Sequence, residues 1–503
     1  MLQSYDIHIV RVKCIFIPLC ENAIDLQIMG WQLRRGVFWG LWMTATLELA
    51  EYVRSTRSLP AKAGQSTRRA ILDLLTAAVG GFNTRSGASA RAAAKAVWGP
   101  GAATVWFSAD KLAPAGAAFA NAAIASALDL DDGHRAAAGH PGAAVIPAVL
   151  ATAEAVGSRS EQILTAIALG YEVGVRISAA RGIVSLPTTD SGLWAGQAVA
   201  AAAGWLRDLD VPRLAHAIAI AGTTAPSQSA TPYTRFMGNN VKEGIPTATA
   251  NGLTAVELAA RDFTGPLDIF DNDKLYNRSV LTGDLGRRWQ IEGVYFKPYS
   301  SCRWIHAPTD AILAIRQQHS IPAAAIQAIE IATFSRALTL NNDVAPKTIE
   351  AAQYSIPFCV ALAAVHGSAS MLPITEASLV DPDVLALAQR VHLTVDPELD
   401  TMFSDAVPAR IVVKTEHGCL VHTVLIPRGE PSNPMTDADL KAKFYTVARG
   451  RIEPVFAQAL LDGVDALRRG DIAPLVTALG AQVRPSQLDR AQLKSFVDSV
   501  PST

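Results

Sequence analysis

Acidic and histidine side chains crowd into one stretch of the chain, residues 128–145, between two apolar segments. The run LDLDDGHRAAAGHPGAAV contains Asp129, Asp131, Asp132, His134 and His140. Histidine titrates near neutral pH and therefore suits proton transfer. A purely structural alternative is that one of the last two aspartates caps a helix and that His134 lies on the surface. We predict that the cluster is functional, with Asp129 and His140 catalytic and His134 in contact with substrate.

A lysine beside a glycine-rich loop is the second feature that could do chemistry. It is Lys242, in the run GNNVKEGIPTATANG at 238–252, directly ahead of a predicted helix. An ammonium group and the free N–H groups of a helix N-terminus can together bind an anion. We predict a catalytic Lys242, the alternative being a solvated lysine. Glu243 is interpreted as a helix cap or a salt-bridge partner.

Cationic groups gather again at 295–310, in YFKPYSSCRWIHAPTD. Lys297 is predicted to be catalytic, and Arg303 and His306 to bind substrate, since arginine suits bidentate carboxylate recognition. Cys302 is interpreted as a small buried residue rather than a nucleophile. Tyr354, in AQYSIPFCVA, is a further candidate for substrate binding, although core packing explains it as well.

The elements that must position these residues are helical over most of the chain. Apolar residues recur at three- and four-residue spacing from 66 to about 290, and abundant Ala and Gly permit close helix contacts. In STRRAILDLLTAAVGGF, Ser66 or Thr67 is predicted to cap a helix that stops at Gly80–Gly81. An amphipathic first helix is expected after Thr44. Further helices are predicted at 115–129, 143–156, 160–181, 194–206, 211–221 and 246–261, and the lack of strands between them favours a bundle.

The pattern changes after about residue 290. A helix at 308–319 precedes AIQAIEIATF, VHLTVDPEL, PARIVVKTEHG and CLVHTVLIPRG, which alternate as strands do; the last two should form a hairpin turning at His417–Gly418. Helices return at 436–447, 453–467 and 470–480. We predict a mainly α protein: a large discontinuous all-helical domain (43–292 and 429–495) and a smaller α+β lid domain (293–428). The cleft between two such units is a common place for a small molecule.

Composition excludes several classes of protein. The 503 residues are 50% hydrophobic and 18% charged with a net charge of -1, which argues against disorder and against a nucleic-acid partner. Five scattered cysteines form no disulfide framework, and neither they nor the ten histidines have metal-ligand spacing, so we expect no metal and a cytoplasmic location. Walker, nucleophile-elbow and dinucleotide motifs do not occur.

The first 42 residues differ from the rest, with two of the five cysteines, three of the nine tryptophans and little alanine. Basic residues interrupt the only apolar run, so neither a signal peptide nor a membrane span is indicated. We interpret 1–42 as a non-native or disordered extension upstream of a start at Met43; a membrane-interacting arm is the alternative.

The chain resembles the MmgE/PrpD family, which includes 2-methylcitrate dehydratase, cis-aconitate decarboxylase and iminodisuccinate epimerase. The resemblance covers about 44–495. It rests on ALDLDDGHRAAAGHPGAAVIPAVLATAEAVG, on FTGP at 263–266, on the KPY…C…H…DA run at 297–311 and on the A-x-x-S-I-P-x-x-V-A helix. It implies a helical domain with an α+β lid, a homodimer, and no metal or organic cofactor.

The resemblance also matches individual residues. In its decarboxylase branch, site residues correspond to Asp129, His140, Lys242 and Lys297. Three departures stand out. Thr188, Thr189 and Asp190 occupy the place of a family histidine, Lys242–Pro246 replaces K-x-x-H-x-G, and Phe358 stands where the family has tyrosine.

The hypothesis that follows is a cofactor-independent lyase of dehydratase type, acting on a small di- or tricarboxylate. His140, oriented by Asp129, would be the acid or base, while Lys242, Lys297 and Arg303 hold carboxylates and developing negative charge. Two alternatives stay open: an epimerase that uses two bases, and a catalytically silent homologue that binds carboxylates. No membrane or nucleic-acid partner is expected.

Overall fold

The computed structural model describes residues 43–182, 186, 188–226 and 239–483. The predicted extension 1–42 lies outside these residues, as do Cys14 and Cys20. The protein is mainly α with a smaller mixed α/β part, 57% helix against 9% strand, which confirms the predicted fold class. In the described ranges, no helix is both long enough and apolar enough to cross a membrane.

Ten helices of the described chain precede residue 290. They are α1 Ala45–Ser55, α2 Ala61–Gly81, α3 Arg85–Val97, α4 Pro114–Ser126, α5 Pro141–Val156, α6 Ser160–Ala179, α7 Gly192–Leu206, α8 Val211–Thr223, α9 Ile245–Ala259 and α10 Arg278–Thr282. Eight lie close to predicted helices, whereas α3 and α10 were not predicted individually.

The predicted ends of two helices are wrong for local reasons. Helix α2 begins at Ala61, five residues before Ser66 and six before Thr67, the two proposed caps. Thr67 lies inside the helix and donates its hydroxyl to the carbonyl of Ala63. Helix α4 ends at Ser126 rather than at 129, because Asp129 adopts a left-handed backbone with φ 51°. Aspartate is one of the few non-glycine residues that tolerate this conformation.

Two small antiparallel ribbons lie among these helices, where no strand was predicted. Strand β1 (Pro100–Thr104) pairs with β2 (Lys111–Leu112), and β3 (Gly133–His134) pairs with β4 (Val294–Tyr295). Three of these strands have only two residues, too few to produce a visible alternation, and β1 is the run PGAAT, whose proline and glycine argue against a strand. The second ribbon ties the 128–145 stretch to the segment that carries Lys297.

Small residues let the helices around α6 approach closely, as the composition indicated. A Cβ added at Gly170 would lie 2.6 Å from Val145 of α5, and one added at Gly174 would lie 2.6 Å from the Cβ of Ala198 of α7. Glycine at these two positions is therefore required by the packing.

The mixed part contains a four-stranded sheet of β5 (Ala328–Thr333), β6 (Val391–Val395), β7 (Ala409–Thr415) and β8 (Gly418–Val424). The strand order is β6-β5-β7-β8, with β5 and β6 parallel and the other pairs antiparallel. All four strands were predicted. The hairpin pairs Thr415 with Gly418, so it turns at Glu416–His417, one residue earlier than expected.

The remaining helices, α11 to α18, flank the sheet or follow it. They are α11 His306–His319, α12 Ile349–Ala352, α13 Ile356–His366, α14 Pro382–Ala388, α15 Pro397–Asp400, α16 Asp437–Ala448, α17 Pro454–Ala466 and α18 Ala473–Leu479.

Buried apolar side chains form two clusters. The first combines residues from Ala45 to Phe296 with residues from Met435 to Val483, and the second runs from Tyr299 to Val413. Helices from both ends of the chain thus share one core. The domain boundaries themselves stay a prediction.

Candidate active site

His140 is placed at the N-terminus of α5 by the residue that follows it. Pro141 occupies the first helical turn, and the residue before a proline is disfavoured in the helical region, so the helix starts directly after His140. The backbone N–H of His140 donates to Oγ of Ser191 (2.9 Å), the residue before α7. The imidazole is therefore fixed between two helix starts, and it is buried.

Carboxylates face both nitrogens of the His140 ring. Nδ1 lies 3.0 Å from the carbonyl oxygen of Asp132 and 3.1 Å from Oδ2 of Asp131. Nε2 lies 3.5 Å from Oδ1 of Asp129 and 3.8 Å from Oε1 of Glu243. Nδ1 is thus held by its own loop, and Nε2 is the nitrogen available to a ligand.

Lys297 forms a buried ion pair with Asp129. Its Nζ donates to Oδ1 of Asp129 (2.8 Å) and to the carbonyl oxygen of the same residue (2.9 Å). The left-handed turn at Asp129 directs both oxygens toward the lysine. Asp129 precedes β3 and Lys297 follows β4, so the antiparallel ribbon brings both side chains to its same end, beside His140.

Lys242 and Glu243 reach the same place from a tight turn before α9. Both residues have left-handed backbones, φ 47° and 58°, a conformation that costs energy in non-glycine residues and is found most often at functional sites. Nζ of Lys242 donates to Oε1 of Gln353 (2.8 Å) and lies 5.3 Å from the centre of the Tyr354 ring. Glu243 accepts hydrogen bonds from the backbone and hydroxyl of Ser191 (3.0 and 2.7 Å).

The charges of the cluster shift its proton affinities strongly. Burial and the Lys297 ammonium lower the pKa of His140, but the carboxylates of Asp131 and Glu243 outweigh them and raise it to about 9. Burial alone would raise the pKa of Asp129; the Lys297 ammonium more than offsets this and holds the pKa well below its usual range. At neutral pH the site therefore contains an imidazolium, an ionised aspartate and a charged lysine.

Hydrogen bonds to Asp132 hold the 128–145 loop in place. Asp132 accepts hydrogen bonds from the hydroxyl of Tyr171 (2.7 Å) and from the N–H of Gly142 (3.1 Å). Burial, and then the charge of Asp73, raise the pKa of Asp132 to about 7. The aspartate that the sequence suggested as a possible cap thus connects the loop to α5 and α6.

Arg303 and His306 occupy a separate buried cluster. The Arg303 guanidinium donates to Glu430 (3.0 Å) and to the carbonyl oxygens of Pro427 and Arg428 (3.2 and 2.9 Å). His306 accepts from Arg303 at Nδ1 (3.2 Å), and its Nε2 contacts the carbonyl oxygen of Ser301 (3.2 Å). Their polar atoms face protein groups, so we propose a supporting role for both in place of the predicted substrate contact.

His134 lies on β3, beside this second cluster. Burial, and then the positive charges of Arg288 and Arg135, lower the pKa of His134 to about 4, so the ring is neutral at physiological pH. Tyr354 is buried against Lys242, and Phe358 is fully buried in the second apolar cluster. Of the eight predicted site residues, the structure brings Asp129, His140, Lys242 and Lys297 together, with Tyr354 adjacent to Lys242.

Three polar residues of the cluster were not among the predicted site residues. Ser191 and Gln353 were not singled out, yet they hold His140 and Lys242. The third is Asp190, which directly precedes Ser191 and is also buried. A buried polar side chain at the start of a helix is indistinguishable in sequence from an ordinary cap.

Asp129, Asp131 and His140 also satisfy the geometry of a metal site, since one ligand atom of each lies within 4.8 Å of the others. The ammonium of Lys297 already contacts Oδ1 of Asp129 and carries the positive charge that an ion would supply there. A divalent cation would have to displace it. The prediction of a metal-free site remains untested.

The chain belongs to the MmgE/PrpD family, on a match that covers both halves of the molecule. The MmgE/PrpD N-terminal domain matches residues 47–287, and the MmgE/PrpD C-terminal domain matches residues 299–468. The predicted family is thus confirmed.

Among curated proteins, the chain is similar to two cis-aconitate decarboxylases of Aspergillus terreus. Both are 26% identical over alignments of 422 and 426 residues, which cover 76% of this chain and 85% of each relative. A cis-aconitate decarboxylase-like protein of Aspergillus oryzae is 25% identical over 407 residues, 74% of this chain and 83% of that protein. These relatives support a lyase-type enzyme that acts on carboxylates.

Proposed function

We propose that the protein is a lyase that acts on a small di- or tricarboxylate and uses the imidazolium of His140 as its general acid. The observation that carries this proposal is the buried cluster of one imidazolium, two ammonium groups and their carboxylate partners. A substrate with several carboxylates needs cations to hold it, and a reaction beside a carboxylate builds negative charge that the same cations stabilise.

Elimination of water is the first reaction we assign to this site. A base takes a proton from the carbon next to a substrate carboxylate, and the electron pair forms a carbon–carbon double bond. The carbon–oxygen bond breaks, and the hydroxyl leaves as water with the proton of His140 Nε2. Nε2 is suited to this step because Nδ1 is occupied by Asp131 and Asp132. Lys242 and Lys297 would hold the carboxylates.

Decarboxylation is the second candidate, and the named relatives favour it. In that reaction the bond to a carboxylate carbon breaks, carbon dioxide leaves, and the remaining electron pair takes a proton from His140. Only an acid is needed. The same cluster can therefore serve either lyase reaction, and an epimerase would need a base on each face of the substrate.

Proton NMR in deuterium oxide tests the proposal. The enzyme is incubated with pooled hydroxylated and unsaturated di- and tricarboxylates, and carbon dioxide is measured in parallel. We expect new olefinic signals, or carbon dioxide release, that fall at least about 100-fold in His140→Ala. His392→Ala, which removes an exposed histidine of β6, is the matched control and should behave as the wild type.

Other outcomes are equally informative. Loss of a single α-proton signal without an olefin would replace the lyase by an epimerase. No reaction with any acid, despite saturable binding of one of them, would indicate a carboxylate-binding homologue without activity. We retain the homodimer and the cytoplasmic location as expectations that separate measurements must test.

A further inference from the structure

Asp190 is a buried carboxyl group two residues before the start of α7. It directly precedes Ser191 and is 1% exposed. Within the described ranges, neither Oδ1 nor Oδ2 has a hydrogen-bond partner of ordinary geometry. Burying a carboxyl group without a partner is costly, so a side chain kept in this state is expected to face a ligand.

Its surroundings belong to the site described above. Ser191 receives the N–H of His140 and donates to Glu243, so Asp190 is one residue from the link between these two groups. The charged groups that act on Asp190 are Glu243 and Arg181. Arg181 donates to Ser178 (2.9 Å), but its Nε has no partner among the described residues.

The acidity of Asp190 follows from this position. Burial, and then the negative charge of Glu243, raise the pKa of Asp190 to about 7, although the Thr188 hydroxyl and Arg181 act in the opposite direction. Asp132 has a similarly raised pKa, but Tyr171 and Gly142 occupy both of its oxygens. Of these two acids, Asp190 is the one whose oxygens have no hydrogen-bond partner of ordinary geometry among the described residues.

We propose that Asp190 is the base of the reaction, which takes the proton from the substrate carbon while His140 protonates the leaving hydroxyl. This inference rests on the lyase function proposed above and deepens it toward elimination of water from a hydroxylated acid. Two titrating groups whose environments push their proton affinities apart are the usual mark of such an acid and base pair. After elimination Asp190 returns its proton to solvent, and His140 takes one up.

The first test is the rate of the wild type and of Asp190→Asn as a function of pH. Asparagine keeps the size of the side chain but cannot accept the proton. We expect kcat to fall about 100- to 10,000-fold with little change in KM. The wild-type rise in kcat/KM through about pH 7 should be absent from the residual activity, and Asp190→Glu should restore part of the rate. Asp405→Asn, on the surface, is the matched control.

Infrared spectroscopy supplies a readout that does not depend on turnover. Asp132 and Asp190 should both give bands of a protonated carboxyl that disappear as the pH rises through about 7. The Asp190 band is the one that is missing from Asp190→Asn, and it should shift when citrate is bound. An active enzyme whose Asp190→Asn variant keeps the wild-type rate and pH profile would overturn the inference and leave the lyase function intact. If the wild type is inactive on every acid tested, the proposed lyase function is wrong. If, in addition, citrate does not shift the infrared band of Asp190, the inference about Asp190 is wrong as well.

Discussion

Removing Lys297 should destabilise the protein by an amount that its contacts determine. Lys297 is fully buried, and its ammonium donates to two oxygens of Asp129. In Lys297→Met the aspartate is left as a buried charge without its principal partner. Breaking a buried pair from one side costs about 3–5 kcal/mol, because the remaining group must stay desolvated or take up a proton.

The pairing itself can be measured with a double-mutant cycle. Asp129→Asn, Lys297→Met and the double variant are unfolded in urea at pH 7, and the free energies of unfolding are compared. Because methionine beside a neutral amide leaves no unpaired charge, the double variant should lose at least about 1 kcal/mol less than the sum of the single losses. Lys414→Met, which breaks the exposed pair with Glu330, is the control and should cost much less than Lys297→Met, because exposed ion pairs contribute little to stability.

The stability that the Asp129–Lys297 pair contributes should decrease as the pH falls. The pKa of Asp129 is lowered in the folded protein, so the ionised pair contributes its full stability above about pH 4, the ordinary range for an aspartate. The difference between wild type and Lys297→Met should shrink as the pH falls below that value. A loss under about 1 kcal/mol for Lys297→Met at pH 7, or single losses that simply add, would refute the reasoning.

Three further predictions concern the loop and its supports. His140 should titrate in NMR with a pKa of about 9, and the pKa should be lower in Asp131→Asn. The imidazolium then contributes its full stability below about pH 6.5, and this contribution is lost as the pH rises through 9. An unchanged titration in the variant would show that the Asp131 carboxylate does not raise the pKa of the imidazole. Tyr171→Phe leaves a buried carboxylate oxygen without its donor and should cost about 1–3 kcal/mol in urea unfolding, whereas a neutral effect would show that the bond is dispensable. Gly429→Ala should destabilise by more than about 2 kcal/mol, since φ is +100° and a Cβ would lie 1.9 Å from the carbonyl oxygen of Phe296; wild-type stability in thermal unfolding would argue against that packing.

The sequence alone predicted most of the helices, all four strands of the larger sheet and the family. Helical periodicity and strand alternation are local properties, so α1 and α5 to α9 and all four strands of the sheet lie close to their predicted places. The same local signals failed at helix ends. Thr67 was a predicted cap of α2, but the helix begins earlier, after Pro60, and no side chain caps it. The ribbon of β3 and β4 escaped notice because its strands have two residues each.

The sequence also singled out Asp129, His140, Lys242 and Lys297, which the structure brings together, because charged residues in apolar surroundings are conspicuous and because they match family motifs. It could not say which side chains they contact. Arg303 illustrates the limit: its residue type suits a substrate carboxylate, but the fold brings Glu430, 127 residues away, to its guanidinium. Contacts between distant segments depend on the packing of the whole chain, and that packing alone paired Lys297 with Asp129 and left Asp190 buried without a partner in the described residues.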